Sequence, residues 1–126
     1  MRLNQVTVGA TDFGASVAFY TALGFRLIVS AREEYARFEA PEGDATFSIH
    51  LQDVAPSGGP VIYFEVVDLL EAVSRLKSVG INFISEPRHE PWLWQEARLN
   101  DPAGNELCIF TAGTNRRHPP WRIPSA

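Results

Sequence analysis

The chain has a single cysteine, Cys108, among its 126 residues. No internal disulfide can form, so nothing in the sequence calls for an oxidising compartment. No apolar run approaches the roughly 20 residues of a membrane span. The opening residues, Met1-Arg2-Leu3-Asn4-Gln5, lack the apolar stretch of a signal peptide. Basic charge is also scarce: 11 Lys and Arg stand against 15 Asp and Glu, for a formal net charge of −4. Phosphate recognition needs a basic face, and the one cluster, Arg116-Arg117, is too small to provide it. The sequence therefore predicts a cytoplasmic protein with no membrane and no nucleic-acid partner. Apolar residues, by contrast, are plentiful: 45% are hydrophobic and only 21% charged, which supplies a core and argues against disorder.

The most informative feature is an internal repeat. The segment from Asp12 to Ile28 can be laid on Asp68 to Ile84 without a gap, a shift of 56 residues. Asp12 then meets Asp68, Val17 meets Val73, Gly24 meets Gly80 and Ile28 meets Ile84. Each copy reads as a helix followed by a strand. Asp68 is a suitable N-cap, with Glu71 three residues on, and Thr11 or Asp12 serves in the first copy. Ala72, Val73, Leu76 and Val79 recur at helical spacing, as Val17, Phe19, Tyr20 and Leu23 do in the first copy. Gly24 and Gly80 suit the left-handed position that ends a helix.

Strand-like runs frame both helices, at about 3–9, 25–31, 35–40 and 46–52, and at about 61–67, 82–86, 94–99 and 106–111. Pro56-Ser57-Gly58-Gly59-Pro60 reads as a linker. The expectation is an α+β fold of two tandem βαβββ modules, about 1–54 and 60–114, forming one domain over 1–114. Residues 115–126 are expected to form an extended tail, since they have no counterpart in the first half and contain Pro119-Pro120.

Alternation along the strands sorts their faces. Ile62, Phe64 and Val66 make one apolar row, as do Val6 with Val8, Phe47 with Ile49 and Leu51, Leu107 with Ile109, and Ala97 with Leu99. The opposite faces carry Gln5 and Thr7, Ser48 and His50, Tyr63 and Glu65, Trp94, Glu96 and Arg98, and Glu106, Cys108 and Phe110. Tyr35 and Arg37 join them from the third strand. Large rings seldom sit on a plain wet face, so Tyr63, Trp94 and Phe110 turn this face toward a binding cleft.

Three segments carry a family resemblance: Ser16-Val17-Ala18-Phe19-Tyr20 with Leu23-Gly24-Phe25, then Phe64-Glu65-Val66-Val67-Asp68-Leu69, and Asp101-Pro102-Ala103-Gly104-Asn105. With them the chain resembles the vicinal oxygen chelate superfamily, which includes glyoxalase I, bleomycin-resistance proteins and type I extradiol dioxygenases. The resemblance spans about residues 3 to 111. It implies curved mixed sheets around a shared cavity, helices on the outer face, and a homodimer.

It also implies where a divalent metal (nickel, zinc, manganese or iron) would be held. The first-strand positions fall on Gln5, which the family permits, and on Val61, which has no donor atom. With Ser48-Ile49-His50-Leu51 laid on Glu106-Leu107-Cys108-Ile109, the last-strand positions fall on His50 and Cys108. Imidazole and thiolate are competent ligands. The bland alternatives are a hydrogen-bonding His50 and a buried, apolar Cys108.

Two functions stay open, ahead of a third, a diverged domain kept for protein interaction through its tail. One is a metal-assisted lyase, isomerase or oxygenase on a small oxygen-bearing substrate, with Gln5, His50 and Cys108 on the metal and Glu65 or Glu106 moving a proton. The other is a metal-free, drug-sequestering protein of the bleomycin-resistance type, for an aromatic or cationic small molecule. Either would bind a small molecule through Tyr63, Trp92, Trp94, Phe110, Arg37 and Arg98. Arg98 either clamps an anionic group or pairs internally with Glu96, Glu65 or Glu106. His89 falls in a loop, Arg88-His89-Glu90-Pro91-Trp92, placed to close over the cavity.

Overall fold

Asp12 and Asp68 adopt nearly the same backbone conformation, with φ of −130° and −129° and ψ of 102° in both. Each carboxylate accepts a hydrogen bond from the amide three residues on, Ala15 at 3.0 Å and Glu71 at 3.1 Å. The helices they cap, α1 (Phe13–Ala22) and α2 (Leu69–Ser78), are ten residues each and keep the spacing of the repeat. Both then run into a glycine at positive φ, 104° at Gly24 and 93° at Gly80, where a side chain would be strained. These features come from a computed structural model, which describes residues 1–125. Ala126, the end of the expected tail, lies outside the described residues.

The strands are β1 (Gln5–Ala10), β2 (Arg26–Ala31), β3 (Tyr35–Glu39), β4 (Thr46–Leu51), β5 (Ile62–Glu65), β6 (Arg88–His89), β7 (Gln95–Asn100) and β8 (Glu106–Thr111). They form two four-stranded mixed sheets, ordered β1-β4-β3-β2 and β5-β8-β7-β6. In each, the strand before the helix pairs in parallel with the last strand of its module. The fold is thus α+β with two βαβββ modules.

Two units divide the chain: Met1–Pro60 with Asn100–Glu106, and Val61–Leu99 with the chain from Leu107 onward. In the first unit, Tyr20 is fully buried among Phe25, Phe38 and Phe47, with ring centroids 4.6 to 6.1 Å away. In the second, Leu69, Ala72, Val73 and Leu76 of α2 are buried, as are Ala97, Leu99, Leu107 and Ile109 of the sheet.

Several expectations need correction. No regular strand spans 82–86. The Ile84 and Ser85 amides reach the Arg98 carbonyl, at 2.8 and 3.3 Å, and Ser85 Oγ accepts from the Arg98 amide. This local bridging takes the place of a ladder, and Pro87 has no amide to continue one. Pairing resumes at Arg88–His89, so His89 sits in an edge strand opposite Gln95. On α1, Ser16 is fully buried, while Val17 and Phe19 are only partly so. Val79, just after α2, and Leu51, at the end of β4, both expected in the core, are 58% and 37% exposed.

Candidate functional site

The strand registers decide which side chains share a face. In the second unit, Tyr63 lies opposite Cys108 and Glu65 opposite Phe110. Phe110 is buried, and the Trp94 ring lies flat on it, with centroids 4.5 Å apart and an interplanar angle of 16°. Tyr63 meets both rings edge-on, at 6.0 and 5.9 Å. Such offset-stacked and T-shaped contacts match the ring quadrupoles and hold the cluster rigid. Cys108 is fully buried in the same cluster, with Phe110, Ala112, Val61 and Trp94 around it.

Above this floor lies a pocket of about 300 Å³, at the lower end of the range for small-molecule sites. Tyr63, Trp92 and Trp94 line it from the sheet and its β6–β7 turn. Asn115, Arg116, Pro119 and Trp121 line it from the segment after β8, which opens with a 3-10 turn at Gly113–Arg116. The remaining lining residues are Glu96 and Arg98. Trp92, Tyr63 and Trp121 leave 42%, 47% and 57% of their surface to solvent.

Leu93, between the two tryptophans of the turn, has φ of 67°, a conformation that favours glycine. Its amide bonds the Glu90 carbonyl at 3.0 Å, and the Glu90 amide bonds the Trp94 carbonyl at 2.8 Å. A hairpin closing in this way usually has glycine at that position. Here a leucine is held there by its neighbours, in the turn that carries Trp92 and Trp94.

Charge in the pocket is organised by one ion pair. Arg98 Nε and Nη2 both donate to Glu96 Oε1, at 3.2 and 2.9 Å. The Glu96 side chain is only 5% exposed. The Arg98 guanidinium also lies over the Tyr63 ring, 5.6 Å from its centroid. Burial alone would lower the Arg98 pKa. The hydrogen bond to Glu96 and the nearby Cys108, Glu96 and Tyr63 outweigh it and raise the value above the ordinary arginine range. Trp92 Nε1 donates a long 3.4 Å bond to the other Glu96 oxygen.

Of the residues expected to bind a small molecule, Tyr63, Trp92, Trp94 and Arg98 line this pocket. Phe110 supports Trp94 from below. Arg37 belongs to the first unit. There its Nε donates to Tyr35 Oη at 3.0 Å, and Tyr35 Oη and Ser48 Oγ lie 2.8 Å apart. The hydrogen bond with Ser48 lowers the Tyr35 pKa; partial burial opposes this, and Arg37 adds to the lowering. Glu65 and Glu106 are exposed, and Glu65 Oε1 lies 3.7 Å from Arg116 Nε.

The donor set for a metal fits poorly. Gln5 is exposed, and its Oε1 already accepts from Thr46 Oγ1 at 2.7 Å. His50 is exposed, opposite Tyr35 in the ladder. Cys108 is fully buried, packed with Phe110, Ala112, Val61 and Trp94. The registers also revise the equivalence of the two last strands. Thr7 lies opposite Ser48 and Tyr63 opposite Cys108, and Thr7 and Tyr63 correspond in the repeat. Cys108 is therefore the counterpart of Ser48, and His50 that of Phe110. Among the described residues, no three of His, Cys, Asp and Glu come together in a way that could hold a metal ion. No helix of the described residues is long and apolar enough to cross a membrane.

The tail's part in the pocket is not legible in the sequence. Arg116, Pro119 and Trp121 stand out as a basic, proline-flanked aromatic segment, but with no counterpart in the repeat nothing says where they lie. Of the alternatives open for Arg98, the internal pair is the one formed, and its partner is Glu96.

Fold and site together define a duplicated βαβββ protein with an aromatic-lined pocket. A family model described as the Glyoxalase/Bleomycin resistance protein/Dioxygenase superfamily matches residues 2–109, and the chain belongs to that superfamily. No curated protein matches the sequence. Solved structures do. A glyoxalase/bleomycin resistance protein/dioxygenase from Nocardioides shares 25% identity at a TM-score of 0.77, over 98% of this chain and 90% of that one. A lactoylglutathione lyase from Agrobacterium tumefaciens shares 17% identity at 0.73, over 87% and 92%. A bleomycin resistance determinant encoded on the transposon Tn5 shares 22% identity at 0.72, over 88% and 98%. The last two establish likeness of fold.

Proposed function

We propose that the chain is a metal-independent binding member of its superfamily, which takes a small, flat, aromatic-bearing molecule into the pocket of its second unit. The observation that carries this reading is the arrangement of Trp92, Tyr63 and Trp121. All three line one pocket and are 42%, 47% and 57% exposed, around a Trp94 ring fixed by stacking on Phe110. Exposed rings around a concavity offer flat faces to a ligand at little conformational cost. The fold is shared with a bleomycin resistance determinant, which agrees with this reading.

Quenching of tryptophan fluorescence by a panel of planar aromatic compounds tests the reading. Saturable quenching is expected for some of them. Trp121→Ala and Trp92→Ala, both at exposed positions, should weaken it several-fold, as expected for the loss of one stacked ring. The absence of saturable quenching across the panel would overturn the proposal.

The second reading, a metal-assisted lyase, isomerase or oxygenase, keeps Gln5 as its motivating residue, with Glu65 or Glu106 as proton carrier. It is disfavoured because Val61 cannot ligate and Cys108 is fully buried. Nickel, zinc, manganese and iron(II) should therefore leave the melting temperature unchanged; a rise on adding any of them would favour this reading. We further propose a cytoplasmic protein whose two modules act as one domain and, on family resemblance, a homodimer. Light scattering that gave a monomeric mass at high concentration would remove the dimer.

A further inference from the structure

We propose that the ligand of the second unit's pocket is an aromatic carboxylate, with its rings against the tryptophans and its anionic end on Arg116; this rests on the pocket being a ligand site. The chain as a whole is acidic, with a formal net charge of −4. The pocket is not. Its lining contains two guanidinium groups, Arg98 and Arg116, and one carboxylate, Glu96. That carboxylate is already engaged: Arg98 donates twice to Glu96 Oε1, and the Glu96 side chain is 5% exposed.

The second guanidinium, Arg116, is held more loosely. Its side chain is 49% exposed, and its acidic neighbour, Glu65, is 3.7 Å away, beyond hydrogen-bond length. An exposed pair at that distance binds weakly and is easily exchanged. The segment that carries Arg116 adds Arg117 and Arg122 and contains no Asp or Glu. A cation entering the pocket would meet the Arg116 guanidinium and find the lining carboxylate taken. A carboxylate would find the planar fork that suits it, and aromatic faces for its rings.

Isothermal titration calorimetry with three probes of one ring system, naphthoate, naphthamide and naphthylmethylammonium, separates the claims. Naphthoate should bind on the order of tenfold more tightly than the amide, as expected for one charge-assisted contact. The ammonium probe should bind most weakly. Arg116→Gln should bring naphthoate down to the affinity of the amide while leaving the amide unchanged. If the amide or ammonium binds as tightly as naphthoate, the anion inference falls and the aromatic pocket stands. A naphthoate preference that survives Arg116→Gln overturns the role of Arg116. If none of the three binds, the inference falls, and the proposed function falls with it only if the wider panel also fails to quench.

Discussion

Tyr20 donates its phenolic hydrogen to Asp101, 81 positions further along the chain, at 2.6 Å in a buried environment. The same carboxylate accepts from the Ala103 and Asn105 amides, both at 2.9 Å, and from the Asn105 side chain at 2.7 Å. Asn105 in turn donates to the Gly9 carbonyl at 2.8 Å. One side chain thus organises the β7–β8 turn and satisfies the only polar atom of a buried ring. Tyr20→Phe should cost about 1–2 kcal/mol and Asp101→Ala more, about 3 kcal/mol, because the latter strips partners from several buried donors at once. Urea unfolding of the two variants measures the order.

The same pair fixes the alkaline limb of stability. Burial first, then the hydrogen bond to Asp101 and its charge, raises the Tyr20 pKa above the ordinary tyrosine value of 10.0. A raised pKa means that the folded phenol stays protonated while the unfolded one ionises. Its contribution is complete below about pH 10 and is lost as the pH climbs beyond it, by about 1.4 kcal/mol per unit. Tyr20→Phe should flatten that limb, which unfolding midpoints measured at rising pH would show.

Tyr35 should behave in the opposite sense. Its pKa is lowered, chiefly by Ser48, so its contribution is present above the unfolded tyrosine pKa and is lost as the pH falls through the folded one. Phenolate absorbance of the folded protein should begin to rise below the ordinary tyrosine range. Tyr35→Phe should remove that early component, and Ser48→Ala should move its onset to higher pH.

The Glu96–Arg98 pair offers a stability test distinct from ligand binding. Arg98→Met leaves a nearly buried carboxylate without the guanidinium that compensates it, and should cost about 3–5 kcal/mol. The double change Glu96→Leu with Arg98→Met should recover most of that loss, since a buried pair can be replaced by apolar groups at little net cost. Denaturant midpoints of the single and double variants check this.

Ser16 supplies a gain. Its side chain is fully buried, and Oγ has no hydrogen-bond partner among the described residues. Ser16→Ala should stabilise the protein by about 1 kcal/mol, by removing a desolvated hydroxyl and improving helix propensity. A lower denaturant midpoint in this variant would show that the hydroxyl is satisfied after all.

The parts of the molecule legible in its sequence are those governed by local rules. Asp12, Asp68, Gly24 and Gly80 announce their helix ends because capping is decided within three or four residues. Alternation sorts Tyr63, Cys108 and Phe110 onto one face because the pleat allows no other arrangement. Three features escaped this reading. The run Asn82-Phe83-Ile84-Ser85-Glu86 has the look of a strand, yet two of its amides bridge to one carbonyl, that of Arg98, just before a proline. Ser16 lies on the buried side of α1, which the apolar pattern of Val17 and Phe19 concealed. The place of Trp121 and Arg116 against the pocket depends on tertiary packing, with no periodicity or repeat to signal it.

Cys108 carries the chain's one sulfhydryl and is buried beneath Trp94, Phe110 and Val61. A thiol-reactive dye should therefore wait for that region to open before it can react. Its labelling rate becomes a built-in clock for breathing of the second unit, and a tightly held guest in the neighbouring pocket should make that clock run slow.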